Sequence, residues 1–151
     1  IAVCAAKFVG YVCKKMGRQG VTWAGKVAIK ICPDILEQLS SQVRKAILQP
    51  AVQMKDNYQQ YALAALEAEG QKVICNHTGS NMLNGVVAAF VLASKWNGKI
   101  DADYACIEAD EAPPDIFFRR IKPDYMLLTN LFRDQLDRYG EIDITMNILE
   151  E

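Results

Sequence analysis

The run Asp124-Tyr-Met-Leu-Leu-Thr-Asn-Leu-Phe-Arg-Asp-Gln-Leu-Asp-Arg-Tyr-Gly-Glu141 passes from apolar residues directly into a polar tract. Thr129, Asn130, Arg133, Asp134, Gln135, Asp137 and Arg138 fall within ten residues. The carboxyl end of a buried parallel strand that delivers a site has this form. Glu108-Ala-Asp110-Glu111 puts three carboxylates at the end of another strand-like run. Such a concentration is costly unless it binds a cation, pairs with a base or caps a helix. Magnesium is typically held by one or two carboxylates with water and phosphate oxygens. The alternative is a solvated acidic turn ahead of Pro113. In Asn76-His-Thr-Gly-Ser-Asn81, hydroxyls, a glycine and backbone N–H groups stand at a predicted helix N-terminus, where anions or carbonyl oxygens can be received. Simple capping by Ser80 or Asn81 accounts for the same residues. His77 is the only histidine, reads as a hydrogen-bonded loop residue, and is given no role.

Alternating strands and helices would position these tracts. Residues 1–17 read as a helix closed by Gly17–Gly20. Val21–Ile31 reads as a strand or extended arm broken by Gly25. A helix begins near Pro33, with Ile35, Leu36, Leu39 and Val43 at helical spacing. Arg44–Leu48, Lys72–Cys75, Asp103–Glu108 and Asp124–Leu128 read as strands. Helices are predicted from Met54 to Glu69, stopped by Gly70, and from Met82 to Trp96, ended by Asn97-Gly98. A last helix is expected from about Ile142. This order predicts an α/β fold with a mostly parallel sheet flanked by helices. The division expected is a helical or extended N-terminal arm over 1–43, then a central α/β domain over 44–151. In such sheets the site lies outside the carboxyl ends of the strands, so the three tracts converge on one edge.

Composition narrows the classes. The chain has 151 residues, about half of them apolar, with a formal net charge of −1, as in an ordinary globular protein with a real core. A net charge this small gives no reason to expect steering toward nucleic acid or an anionic membrane. Five widely spaced cysteines without a CxxC pair argue against zinc within the chain and for buried free thiols in a reducing compartment. The apolar opening, Ile1–Cys13, is too short to span a bilayer, which takes about 20 residues, and lacks the form of a signal peptide. It reads as a packing or interface helix. The first residue is not Met and the last lie in a helix-like run, so a piece of something longer is expected.

Three ordered blocks carry a resemblance: Thr78-Gly-Ser-Asn-Met-Leu-Asn-Gly85, Glu108-Ala-Asp-Glu-Ala112 and Asn130-Leu-Phe-Arg-Asp-Gln-Leu-Asp-Arg-Tyr-Gly-Glu141. Together they resemble the Mur ligase family, and within it the branch that amidates the cell-wall precursor lipid II. The DQLDRYGE run is specific to that branch, because other Mur ligases usually carry a histidine at Gln135. The resemblance implies a Mur-ligase-like central domain and an ATP-dependent carbon–nitrogen ligase of peptidoglycan synthesis. ATP would phosphorylate the alpha-carboxylate of the second-position glutamate in lipid II. Ammonia from a GatD-like glutaminase partner would then displace phosphate to give isoglutamine. It also implies ATP and Mg2+, with Glu108 as the magnesium-binding glutamate and Asn130, Asp134 and Gln135 on the loop near nucleotide and metal. Thr78, Ser80 and Asn81 would face the substrate. A zinc ribbon and a C-terminal domain would lie beyond residue 151. The implied location is the cytoplasm, at the inner face of the membrane, without a transmembrane segment.

One motif departs from the family. Its phosphate loop, TGTNGKTT, follows the first core strand, and an ungapped alignment puts Lys55 at the phosphate-binding lysine. Ala51 and Met54 replace the glycines that let the backbone approach the phosphates, and Asp56-Asn57 replace the Thr pair that would reach magnesium. Between Gly25 and Gly70 there is no glycine. Lys55 alone then reads more simply as a solvated helix lysine. The expectation is weak or absent ATP binding in the family manner and no complete reaction by this chain alone. The alternative is a degenerate, non-catalytic Mur-like binding or scaffold module.

Overall fold

The computed structural model describes residues 1–17, 20–50, 58–76, 82–109 and 120–127. Five helices and four strands follow in order within them: α1 Ala2–Lys15, α2 Gly20–Ile31, α3 Ile35–Ser40, β1 Lys45–Pro50, α4 Tyr58–Ala68, β2 Val73–Cys75, α5 Leu83–Ala93, β3 Tyr104–Ala109 and β4 Tyr125–Met126. The strands form one sheet in the order β2-β3-β1-β4, and every pairing is parallel. The predicted α/β class with a parallel sheet is what the chain adopts. The helix expected from Ile142 lies outside the described residues.

Topology decides where a site can form. From β1 the chain moves two places to β2, and from β3 it moves two places the other way to β4. Right-handed crossovers that run in opposite directions lie on opposite faces of a sheet. Burial agrees with this. Ala46, Leu48, Ile74, Ala105 and Ile107 join the core made with α1, α2, α3, α5 and Ile121, whereas buried Cys106 and Leu63 of α4 stand apart from that cluster. Ser40 Oγ donates to the Arg120 carbonyl at 3.0 Å, so the approach to β4 docks on α3. Neighbouring β1 and β3 therefore send the chain to opposite faces, the topological switch point at whose carboxyl ends α/β sheets take ligands, here termed the β1–β3 crevice.

At the amino edge, Asp124 fixes β4 to β1. Its Oδ1 accepts from Lys45 Nζ at 2.7 Å and its Oδ2 from the Ala46 N–H at 2.8 Å. The core contains fully buried Leu36, Val86, Val87, Phe90, Val91 and Ile107, each contributing about 1.5–3 kcal/mol by leaving water.

Several expectations are corrected. Val21–Ile31 is helical rather than extended, and Gly25 does not break it. Its β-branched residues favour a strand, but Gly20, Ala24 and Ala28 recur every four residues and are all buried. That small-residue stripe lets helices meet closely, and packing overrides propensity. A Cβ at Gly25 would stand 1.8 Å from the Asn84 carbonyl oxygen of α5. The α5 helix is shorter than predicted. Its N-cap is Met82, without a side-chain capping bond, and it ends at Ala93 with Ser94 extended. Lys7 takes over the C-terminal carbonyls, donating to Leu92 O at 3.1 Å and to Ser94 O, as suits a cation at a helix C-terminus. Gly98 lies in the following turn. Gly70 stops α4 as predicted, at φ +75°, a conformation that favours glycine. All five cysteines are free, but only Cys106 is buried and Cys4 is exposed. Among the described residues no helix is long and apolar enough to cross a membrane.

Candidate functional site at the carboxyl edge of the sheet

Parallel pairing sends every strand out at one edge. Residues 77–81 follow β2, residues 110–111 follow β3 and residues 128–138 follow β4. The strands that lead into the three tracts therefore end at this edge, and of the tracts' polar residues only Asn76 and Glu108 are among the described residues. Across the β1–β3 crevice, Gln49 is in register with Glu108 and Pro50 with Ala109. Period-two alternation puts Glu108 with Cys106, on the face that carries α4.

A polar network holds the end of β3. The Asn76 side chain sits just past β2 and is buried, at 4% exposure. Its Nδ2 donates to the Glu108 carbonyl at 2.6 Å, and its Oδ1 accepts from the Glu108 N–H at 2.9 Å. The amide thus imitates one more backbone residue and prolongs the β2–β3 ladder beyond the Cys75–Cys106 pair. Gln59, buried in the first described turn of α4, donates to Asn76 Oδ1 and to the Cys106 carbonyl, both at 2.9 Å. These bonds satisfy groups that would be expensive to bury alone. They also bring the beginning of α4 over the ends of β2 and β3, and the N-terminal end of a helix favours negative charge.

The thiols beside this network are not nucleophiles at neutral pH. Burial, reinforced by Cys106, Glu108 and Glu67, pushes the Cys75 thiol up to about 12. Burial alone pushes Cys106 up to about 11. The described part of the site offers a carboxylate on a pinned backbone, suited to holding a divalent cation together with water and phosphate oxygens. Among the described residues, no group of three or more His, Cys, Asp or Glu could enclose a metal unaided. A cavity of about 310 Å³ lies between β2, α5 and α2, with Val21, Val73, Asn76 and Leu92 in its walls. It is mostly apolar, and its lining residues come from β2, α5 and α2 and from Asn76, with none from β1 or β3.

Of the residues singled out from sequence, Glu108 stands at the end of β3, at the crevice. Lys55, Thr78, Ser80, Asn81, Asn130, Asp134 and Gln135 lie outside the described residues, as do His77, Asp110 and Glu111. Sequence reasoning missed Gln59, which within Tyr58-Gln-Gln-Tyr61 looks like an outward helix residue. It placed Asn76 in a polar turn without its role as a strand clamp. An Asn directly after a short apolar strand was the available signal.

No protein-family model matches the chain. Over 150 residues it is 33% identical to the MurT subunit of lipid II isoglutaminyl synthase (glutamine-hydrolyzing) from Staphylococcus aureus (strain COL), covering 99% of this chain and 33% of that protein. The MurT subunit from Streptococcus pneumoniae (strain ATCC BAA-255 / R6) is 30% identical over 149 residues, covering 99% of this chain and 32% of that protein. The chain spans about a third of the length of the curated relatives it matches. The likeness first carried by three motif blocks therefore extends over essentially the whole sequence, as similarity to about a third of the MurT subunit.

Proposed function

We propose that this chain forms the sheet-edge part of a MurT-like subunit in a complex that amidates lipid II. The whole-length similarity to MurT carries this reading. In it, the glutamate alpha-carboxylate is activated by phosphoryl transfer from ATP, and glutamine-derived ammonia from a GatD-like partner displaces phosphate. The β1–β3 crevice would receive the nucleotide. Glu108 would hold magnesium, with Asn76 and Gln59 fixing its backbone. Asn130, Asp134 and Gln135 would approach nucleotide and metal, and Thr78, Ser80 and Asn81 the substrate. The work is assigned to the cytoplasmic side of the membrane.

The proposal includes a defect. By the resemblance Ala51 and Met54 stand at the two glycine positions of the phosphate loop, where a side chain would take the space that phosphate oxygens need, and Asp56 would repel a triphosphate. Magnesium ATP is therefore held weakly or not at all by this chain, and it does not complete the reaction alone. That departure also favours a second reading, a scaffold module that keeps partner or precursor contacts without catalysis.

Amidation of lipid II, followed by mass spectrometry, separates the two. The chain, within the protein that carries it, is combined with a GatD-type glutaminase, glutamine, lipid II and magnesium ATP. The enzyme reading predicts that isoglutamine formation rises when TGTNGKTT replaces residues 50–57, and that Glu108→Gln abolishes the gain. Retention of the glutaminase and lipid II with no amidation by the replaced version establishes the scaffold reading instead.

A further inference from the structure

The near-zero net charge conceals an uneven distribution. Residues 1–33 hold six of the 17 basic residues and none of the 18 acidic ones, so the rest of the chain has 18 acids against 11 bases. The cationic part is the outer helical layer, α1 and α2. Both helices leave large apolar side chains in water. On α1 and its C-cap, Phe8, Tyr11 and Met16 are 64%, 58% and 66% exposed, and their spacing with Lys15 (i, i+3, i+7, i+8) puts them on one face. On α2, Trp23, Lys26, Lys30 and Ile31 repeat that spacing, and all four are exposed. Aromatic and cation are paired on each helix: Lys15 Nζ stands 5.5 Å from the Tyr11 ring centre and Lys26 Nζ 5.4 Å from that of Trp23. Trp96, also exposed, adjoins α1, where Lys7 lies 5.7 Å from its ring centre.

We propose that the exposed face of α1, together with exposed residues of α2, the helix that packs against it, docks on the surface of an anionic lipid bilayer. Aromatic and apolar side chains that sink to the headgroup boundary, flanked by lysines whose stems lie along them, suit a helix that lies in an interface without crossing it. Among the described residues no ion pair engages Lys14, Lys15, Lys26 or Lys30, and an anionic surface supplies their counter-charge. Charge disfavours a second copy as occupant, because a two-fold contact through this face sets a wholly cationic layer against itself. The inference stands apart from nucleotide binding, since it involves no residue of the sheet edge.

The test is co-sedimentation of the full chain with phosphatidylcholine vesicles and with vesicles of equal parts phosphatidylcholine and phosphatidylglycerol. Both tryptophans of the chain, Trp23 and Trp96, belong to this region, so their emission reports docking. The expected result is binding to the anionic vesicles at least about tenfold tighter than to neutral ones, weakening with salt, with a blue shift on binding. Lys14→Glu with Lys15→Glu, and separately Phe8→Ser with Met16→Ser, should each weaken it about tenfold or more while the circular dichroism melt stays in place. Three results overturn the proposal: no anionic preference, variants that bind as the parent does, or self-association in sedimentation velocity that the same substitutions abolish. The last outcome assigns the face to a second copy.

Discussion

Asn76→Ala is the most informative single substitution at the sheet edge. It removes at least three hydrogen bonds, two to the Glu108 backbone and one from Gln59. A neutral hydrogen bond contributes about 0.5–1.5 kcal/mol net, and a buried group left unpaired costs about 1–3 kcal/mol. The penalties are not all maximal. Gln59 keeps the Cys106 carbonyl, and half-buried Glu108 can recruit water. The expected loss is about 2–3 kcal/mol, read from urea unfolding at constant m-value. Because the clamp acts at one residue, exchange of the Glu108 amide should accelerate more than that of Ile107. The pair Asn76→Ala and Gln59→Ala should be non-additive by at least about 0.5 kcal/mol, as for residues in one network. A loss below about 0.5 kcal/mol with Glu108 exchange unchanged would refute the clamp, and with it the account of how the carboxylate is positioned.

Three further outcomes follow from the geometry. Gly25→Ala gains about 1 kcal/mol of helix propensity in isolation, but the 1.8 Å approach to Asn84 O forces α2 and α5 apart; a net loss of about 1–3 kcal/mol in thermal melts is expected. Lys45 and the Ala46 N–H hold the Asp124 carboxyl below its ordinary range. Its contribution is therefore present above the unfolded value of about 3.9 and lost as pH falls through the folded one. Asp124→Asn should accordingly melt lower than the parent at pH 6, with the gap closing below about pH 4. In the thiol assay with Ellman's reagent at pH 8, exposed Cys4 should react within the first phase. Cys75 and Cys106, pushed up to about 12 and about 11, should wait for denaturant.

The strands were legible because each is a short apolar run between helical segments, and their alternation with helices dictated parallel pairing. That pairing ends the three strands at one edge, whereas the polar residues expected to converge there lie outside the described residues, Asn76 and Glu108 apart. What misled was α2. Its β-branched residues and Gly25 favour extended structure locally, and only contact with α1 and α5 explains why a helix wins there. Gln59 was illegible for a related reason. A polar residue near the start of a helix looks solvated until β2 and β3 are known to end beneath it. The basic layer escaped notice because a sum over the whole chain cancels Lys14, Lys15, Lys26 and Lys30 against acids placed elsewhere. Of the residues carried over from the family resemblance, Glu108 alone falls within the described structure.

We propose, then, a MurT-like sheet edge beside a phosphate loop altered at Ala51, Met54, Asp56 and Asn57. Calorimetric titration of magnesium ATP into the unaltered chain and into one carrying TGTNGKTT over residues 50–57 tests it directly. The account predicts no saturable heat from the unaltered chain up to millimolar nucleotide, and recovered binding from the replaced one. Saturable micromolar binding by the unaltered chain contradicts it, as does a replaced chain that stays silent.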